Sequence, residues 1–66
     1  MKVHLNGETR EFDEGSTLKD IMQKLMIEEK VMACAVNMNI VKKEAWDSYR
    51  PAEDDTIEML HFVGGG

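Results

Sequence analysis

Three glycines, Gly64, Gly65 and Gly66, follow the strand-like residues "HFV" at the end of the 66-residue sequence. Glycine loses more conformational freedom on ordering than any other residue and has no side chain to pack, so such a run is not there to stabilise a fold. A chemical use fits it better. Extended backbone without Cβ atoms can thread a channel too narrow for side chains, with Gly64 and Gly65 as the thread and the Gly66 carboxylate delivered into a partner's active site. Attack of that carboxylate on the α-phosphorus of ATP would give an acyl-adenylate, and a sulfur nucleophile could then displace the leaving group to form a thiocarboxylate. The plainer alternative is a frayed terminus, which is common in small domains.

The rest of the chain has no apparatus for that activation. It contains no G-x-x-x-x-G-K-[ST] phosphate loop, no G-x-G-x-x-G and no Ser-His or Cys-His arrangement at a recognisable spacing. No pocket of ~300 Å3 is expected in so short a chain. The chain therefore reads as substrate and carrier rather than enzyme, binding no cofactor itself, with ATP used by the activating partner. Cys34 lies inside the apolar run "VMACAV", where a buried structural thiol is expected rather than a reactive one. His4 and His61 become neighbours only if the first and last strands pair, and with no third ligand in view no metal site is expected.

The glycines need a body that presents them. Sixty-six residues make one small domain, and one cysteine rules out an intramolecular disulfide and points to a reducing compartment. The start "MKVHLNGETREF" has no apolar leader core, and the longest apolar run, 31–36, is far short of the ~20 residues that cross a bilayer. A cytoplasmic chain with no membrane partner is expected. Its formal charge of −5 has the wrong sign for nucleic acid and suits a basic protein surface.

"MKVHL", the turn signal "NGE" and "TREF" with Phe12 read as a β-hairpin. Ser16 or Thr17 can cap a helix, Asp20 completes a capping box with Thr17, and Leu18, Ile21, Met22 and Leu25 form its apolar stripe. That helix is expected to end near "IEEK", with Met22 and Met26 as core filler. "VMACAVN" reads as a buried strand, "NMN" as a turn and "IV" as a brief pairing segment. "KKEAWDSYRPAEDD" reads as irregular, with Trp46 and Tyr49 capping the core and Glu53–Asp55 as a solvated acidic turn. "TIEMLHFV" is then the last and longest strand.

The order β-β-α-β-β predicts an α+β fold: a mixed four- to five-stranded sheet, one helix on one face, and the last strand beside and parallel to the first. That is the β-grasp, or ubiquitin-like, architecture. The domain would occupy residues 1–63, with 64–66 as a flexible glycine tail. In the last strand Ile57 and Met59 are assigned to the core, leaving Leu60 and Phe62 apolar on the solvent side as a docking surface, the plainer alternative being that they pack on a neighbouring loop.

With "VHLNGE" near the start, "AVNMNIVKKEAW" in the middle and "DTIEMLHFVGGG" at the end, the chain resembles the ThiS family of bacterial sulfur carriers over its whole length. The resemblance implies a β-grasp fold and a role in building the thiazole of thiamine. Gly66 would carry the adenylate and then the thiocarboxylate. It implies three partners: an adenylating enzyme of the ThiF type, thiazole synthase (ThiG), and a sulfur donor such as a cysteine desulfurase. The family usually has a proline where this chain reads Val41-Lys42-Lys43, and a small or polar residue where it has Met38. Related carriers for molybdenum cofactor or for cysteine or methionine synthesis, and a ubiquitin-like interaction module with an unreactive tail, are the alternatives.

Overall fold

A computed structural model describes residues 1–62. The start of the chain alternates, and the structure uses the alternation: β1 (Lys2–Leu5) buries Val3 and Leu5 and pairs antiparallel with β2 (Glu8–Glu11). The two-residue connection Asn6-Gly7 has φ of 48° and 84°, the left-handed pair that matches the twist of a tight hairpin and explains the choice of Asn-Gly.

The helix α1 (Leu18–Lys24) starts where the capping box predicts. Thr17 Oγ1 accepts from the Asp20 N–H at 3.0 Å, and the Thr17 N–H donates to Asp20 Oδ2 at 3.0 Å. Leu18, Ile21 and Met22 point inward and are wholly buried. The helix stops earlier than expected, because Met26 adopts φ 61°. Its N–H bonds to the Gln23 carbonyl and the Ile27 N–H to the Met22 carbonyl, the paired closure of a Schellman motif. That geometry turns Met26 outward to 85 % exposure, correcting its assignment to the core; Ile27 packs on the core in its place.

After a 3-10 turn at Glu28–Lys30 come β3 (Val31–Val36), β4 (Asn39–Ile40), a second 3-10 turn at Lys43–Ala45 and β5 (Thr56–His61). The sheet order is β2-β1-β5-β3-β4, with β5 parallel to β1 and antiparallel to β3. This is the expected mixed sheet, five-stranded, with one helix across one face. β5 is as long as β3, not longer.

β3 is buried on one face only. A register irregularity between Val31 and Ala33 lets Val31, Cys34 and Val36 all turn to the helix side despite spacings of three and two, and leaves Met32 56 % exposed. A single helix covers a single sheet face, so the apolar run "VMACAV" could not be buried throughout.

The segment before β5 closes the core. Trp46 is buried and its Nε1 donates to the Val41 carbonyl at 2.9 Å. Tyr49 remains 37 % exposed, so it is the Tyr49 backbone carbonyl, accepting from the Leu18 N–H at 2.9 Å, that serves the fold rather than the ring.

Candidate functional site

β5 carries the candidate site because it leads to the glycines. Ile57 and Met59 are buried against the helix side, while Leu60 and Phe62 are 62 % and 63 % exposed; the alternation that predicted this comes from the period of a strand. Val63, Gly64, Gly65 and Gly66, which include the predicted threading segment and the reactive carboxylate, lie outside the described residues.

Pairing across the sheet places Leu60 opposite Ala33, and Ala35 opposite both Glu58 and Ile40. The two alanines form the low floor of a hollow of about 370 Å3 whose sides include Leu60, Ile40 and Glu58. Ile40 is 72 % exposed. Ile40 thus joins Leu60 and Phe62 on the open side of the sheet, and Met32, left without a partner at the β3 irregularity, is exposed as well; neither was singled out in the sequence. The small-residue parity of Ala33 and Ala35 marks the open face of β3, whereas Met32 has the opposite parity and is exposed through the irregularity beside it.

Open hollows of 300–370 Å3 do occur on this small body, contrary to the size expectation. One of about 300 Å3 lies between Leu5, Arg10, Leu25, Ile27 and His61, near the end of β5. The His61 Nδ1 atom is buried there without a hydrogen-bond partner.

The two histidines do not meet. β1 and β5 pair as expected, but the register sets His4 opposite Thr56 and His61 opposite Val31. His4 instead faces Asp54, at 3.6 Å, and Thr9, at 3.3 Å. No group of three or more metal-ligating side chains occurs among the described residues. Glu53–Asp55 is a surface turn tied to β1: the Lys2 N–H donates to Glu53 Oε1 at 2.8 Å and the Asp54 N–H to the Lys2 carbonyl at 2.7 Å.

Cys34 is 1 % exposed, and burial pushes its thiol up to about 11. At neutral pH it is a packing residue with almost no thiolate. Among the described residues no helix is long and apolar enough to cross a membrane.

The ThiS family model matches residues 3–66. The chain belongs to the ThiS family. Among relatives of this ThiS-family chain, a "Sulfur carrier protein ThiS" of Bacillus subtilis is 31 % identical, over 97 % of this chain and 98 % of that protein. A "Thiazole synthase" of Magnetococcus marinus is 36 % identical over the whole of this chain, which spans only 20 % of that protein's length. The crystal structure of a thiamine biosynthesis protein (ThiS) from Geobacter metallireducens superposes with a TM-score of 0.76 at 27 % identity, covering all of both chains. The β-grasp architecture predicted from element order is therefore shared with a ThiS protein of solved structure.

Proposed function

We propose that the chain is a sulfur carrier of thiamine biosynthesis, acting in the cytoplasm as a protein substrate rather than an enzyme. The Gly66 carboxylate is adenylated by a ThiF-type enzyme using ATP. Sulfide-level sulfur, supplied by a sulfur donor such as a cysteine desulfurase together with a thiol reductant, then displaces AMP from the adenylate to leave a thiocarboxylate, which passes its sulfur to thiazole synthase. Leu60 and Phe62, with Ile40 beside them, form the apolar surface on which the partner enzymes seat, while Gly64 and Gly65 thread the channel.

The observation that carries this reading is the family match, which runs through residue 66 and so includes the glycine end. Support for thiazole synthase as recipient comes from the Magnetococcus relative, where a region like this chain forms a fifth of a protein named thiazole synthase. The body itself contributes a wet apolar patch and an inert thiol, which suits a carrier whose sulfur resides on its terminus and not on Cys34.

Intact mass spectrometry after incubation with ATP, a proven adenylating enzyme and a sulfur source tests it. The expected result is a gain equal to the difference between sulfur and oxygen, abolished when one residue is added after Gly66. No gain with the unmodified chain overturns the carrier reading. Supplying the charged protein to thiazole synthase then asks for loss of the gained mass, and retention there argues for another recipient.

A further inference from the structure

The β1–β5 ladder is completed by a side chain. Asn6 leaves β1 at the hairpin turn, with φ 48°, and its own N–H still donates to the Ile57 carbonyl at 2.9 Å. Alternate residues of a strand direct their N–H and C=O groups to opposite neighbours. The Phe62 N–H bonds to Lys30, on the β3 side, so Met59 turns its backbone groups toward β1, beyond the point where β1 has ended. There the Asn6 amide takes the place of the missing strand: Oδ1 accepts from the Met59 N–H at 2.8 Å and Nδ2 donates to the Met59 carbonyl at 3.1 Å. Without it, two partly buried backbone groups would have no partner.

This clamp grips the chain three residues before Phe62, the last described residue. We infer that Asn6 is a positioning residue for the carrier reaction: its side-chain amide holds β5 at Met59 and so sets the direction in which the chain leaves the sheet toward Gly66. The inference rests on the carrier reading, since only a carboxylate that must reach a partner's active site needs a fixed root. Gly64, Gly65 and Gly66 allow threading but cannot aim themselves. A displacement of about 1 Å at a reacting group can cost on the order of a hundredfold in rate, so a firm root matters.

The test compares the full chain with Asn6→Gly and Asn6→Asp. Glycine accepts the left-handed turn but removes both side-chain bonds; aspartate keeps the acceptor and loses the donor. In the free proteins, hydrogen exchange at the Met59 amide is expected to accelerate about tenfold in Asn6→Gly, with Val3 and Cys34 unchanged. In thiocarboxylate formation with ATP, sulfide and the adenylating enzyme, kcat is expected to fall about tenfold in Asn6→Gly while KM for the carrier stays within about twofold, because the docking face is untouched. Asn6→Asp falls between. Thr17→Ala, which weakens the helix start and leaves the clamp alone, keeps the wild-type kcat, separating positioning from lost stability.

Faster exchange at Met59 with an unchanged kcat overturns the inference, as does unchanged exchange. If Asn6→Gly does not fold, Asn6→Asp is judged by the same two readouts. Absence of any mass gain in the wild-type chain overturns the carrier reading and this inference's catalytic part together, and the exchange result alone then decides whether the clamp exists.

Discussion

Cys34 and Met38 show how far one residue's surroundings decide its use. The Cys34 thiol, held up to about 11 by burial, is expected to resist alkylation at pH 8 in the native protein and to take up one equivalent on unfolding. Rapid native labelling would contradict its burial. Because its folded value lies above its unfolded one, the protonated thiol favours the fold fully below the ordinary thiol range, and that contribution fades as pH rises toward 11; urea midpoints should therefore drop across the interval from about 9 to 11. Met38 sits at φ 69°, beside Asn37 at φ 50°, in the two-residue β3–β4 turn, and is 88 % exposed. A left-handed non-glycine residue costs ~1–2 kcal/mol, while glycine adds ~0.5–1 kcal/mol of unfolded-chain freedom. Met38→Gly should thus stabilise by ~0.5–1 kcal/mol and raise the thermal midpoint by several degrees. An unchanged or lower midpoint would count against strain at this position.

At the scale of elements, α1 is too short to form alone, since isolated helices below ~12 residues are marginal in water. Both ends are instead closed by hydrogen bonds. The N–H groups of Thr17, Leu18, Lys19 and Asp20 bond respectively to Asp20 Oδ2, the Tyr49 carbonyl, the Trp46 carbonyl and Thr17 Oγ1. Thr17→Ala is expected to cost ~1 kcal/mol in a chemical-denaturation curve. The hydrogen bond from the Thr17 backbone N–H, then that with its hydroxyl, holds the Asp20 carboxyl below its ordinary 3.8. A lowered acid contributes stability above its unfolded value and loses it as pH falls through the folded one. An NMR titration of the Thr17 amide should therefore show its midpoint below 3.8, and a midpoint above it would argue that the box does not form. The capping box was legible in "TLKD", but the helix's end was not. Met26 is a good helix former, and only the closing turn onto Ile27 takes it out of the helix.

Across the whole molecule, one helix on one face leaves the opposite face of β3, β4 and β5 open, with Leu60 and Ile40 on it by register and Phe62 and Met32 exposed as well. Leu60→Glu with Phe62→Glu should leave the thermal midpoint within a few degrees, because substitutions at exposed positions rarely exceed ~0.5 kcal/mol. The same pair should lower kcat/KM for thiocarboxylate formation at least about tenfold, since apolar anchors at interfaces commonly carry 1–2 kcal/mol each. Normal transfer by the double variant would remove the docking role. The acidic turn at Glu53–Asp55, which reads in sequence as solvated charge, is part of the fold's closure through its bonds to Lys2.

The sequence by itself determined whatever depends on neighbours a few residues apart: the Asn-Gly hairpin, the Thr17–Asp20 cap, the alternation that buries Ile57 and Met59 and exposes Leu60 and Phe62, and the glycine end. These follow from strand and helix periods and from short-range hydrogen bonds, which a linear string displays. The tertiary structure alone decided that His4 meets Asp54 and not His61, that Ile40 stands beside the Leu60 face, and that Asn6 grips Met59 across 53 residues. Register between distant strands is set by how the core packs as a unit, and no local pattern in the string records it.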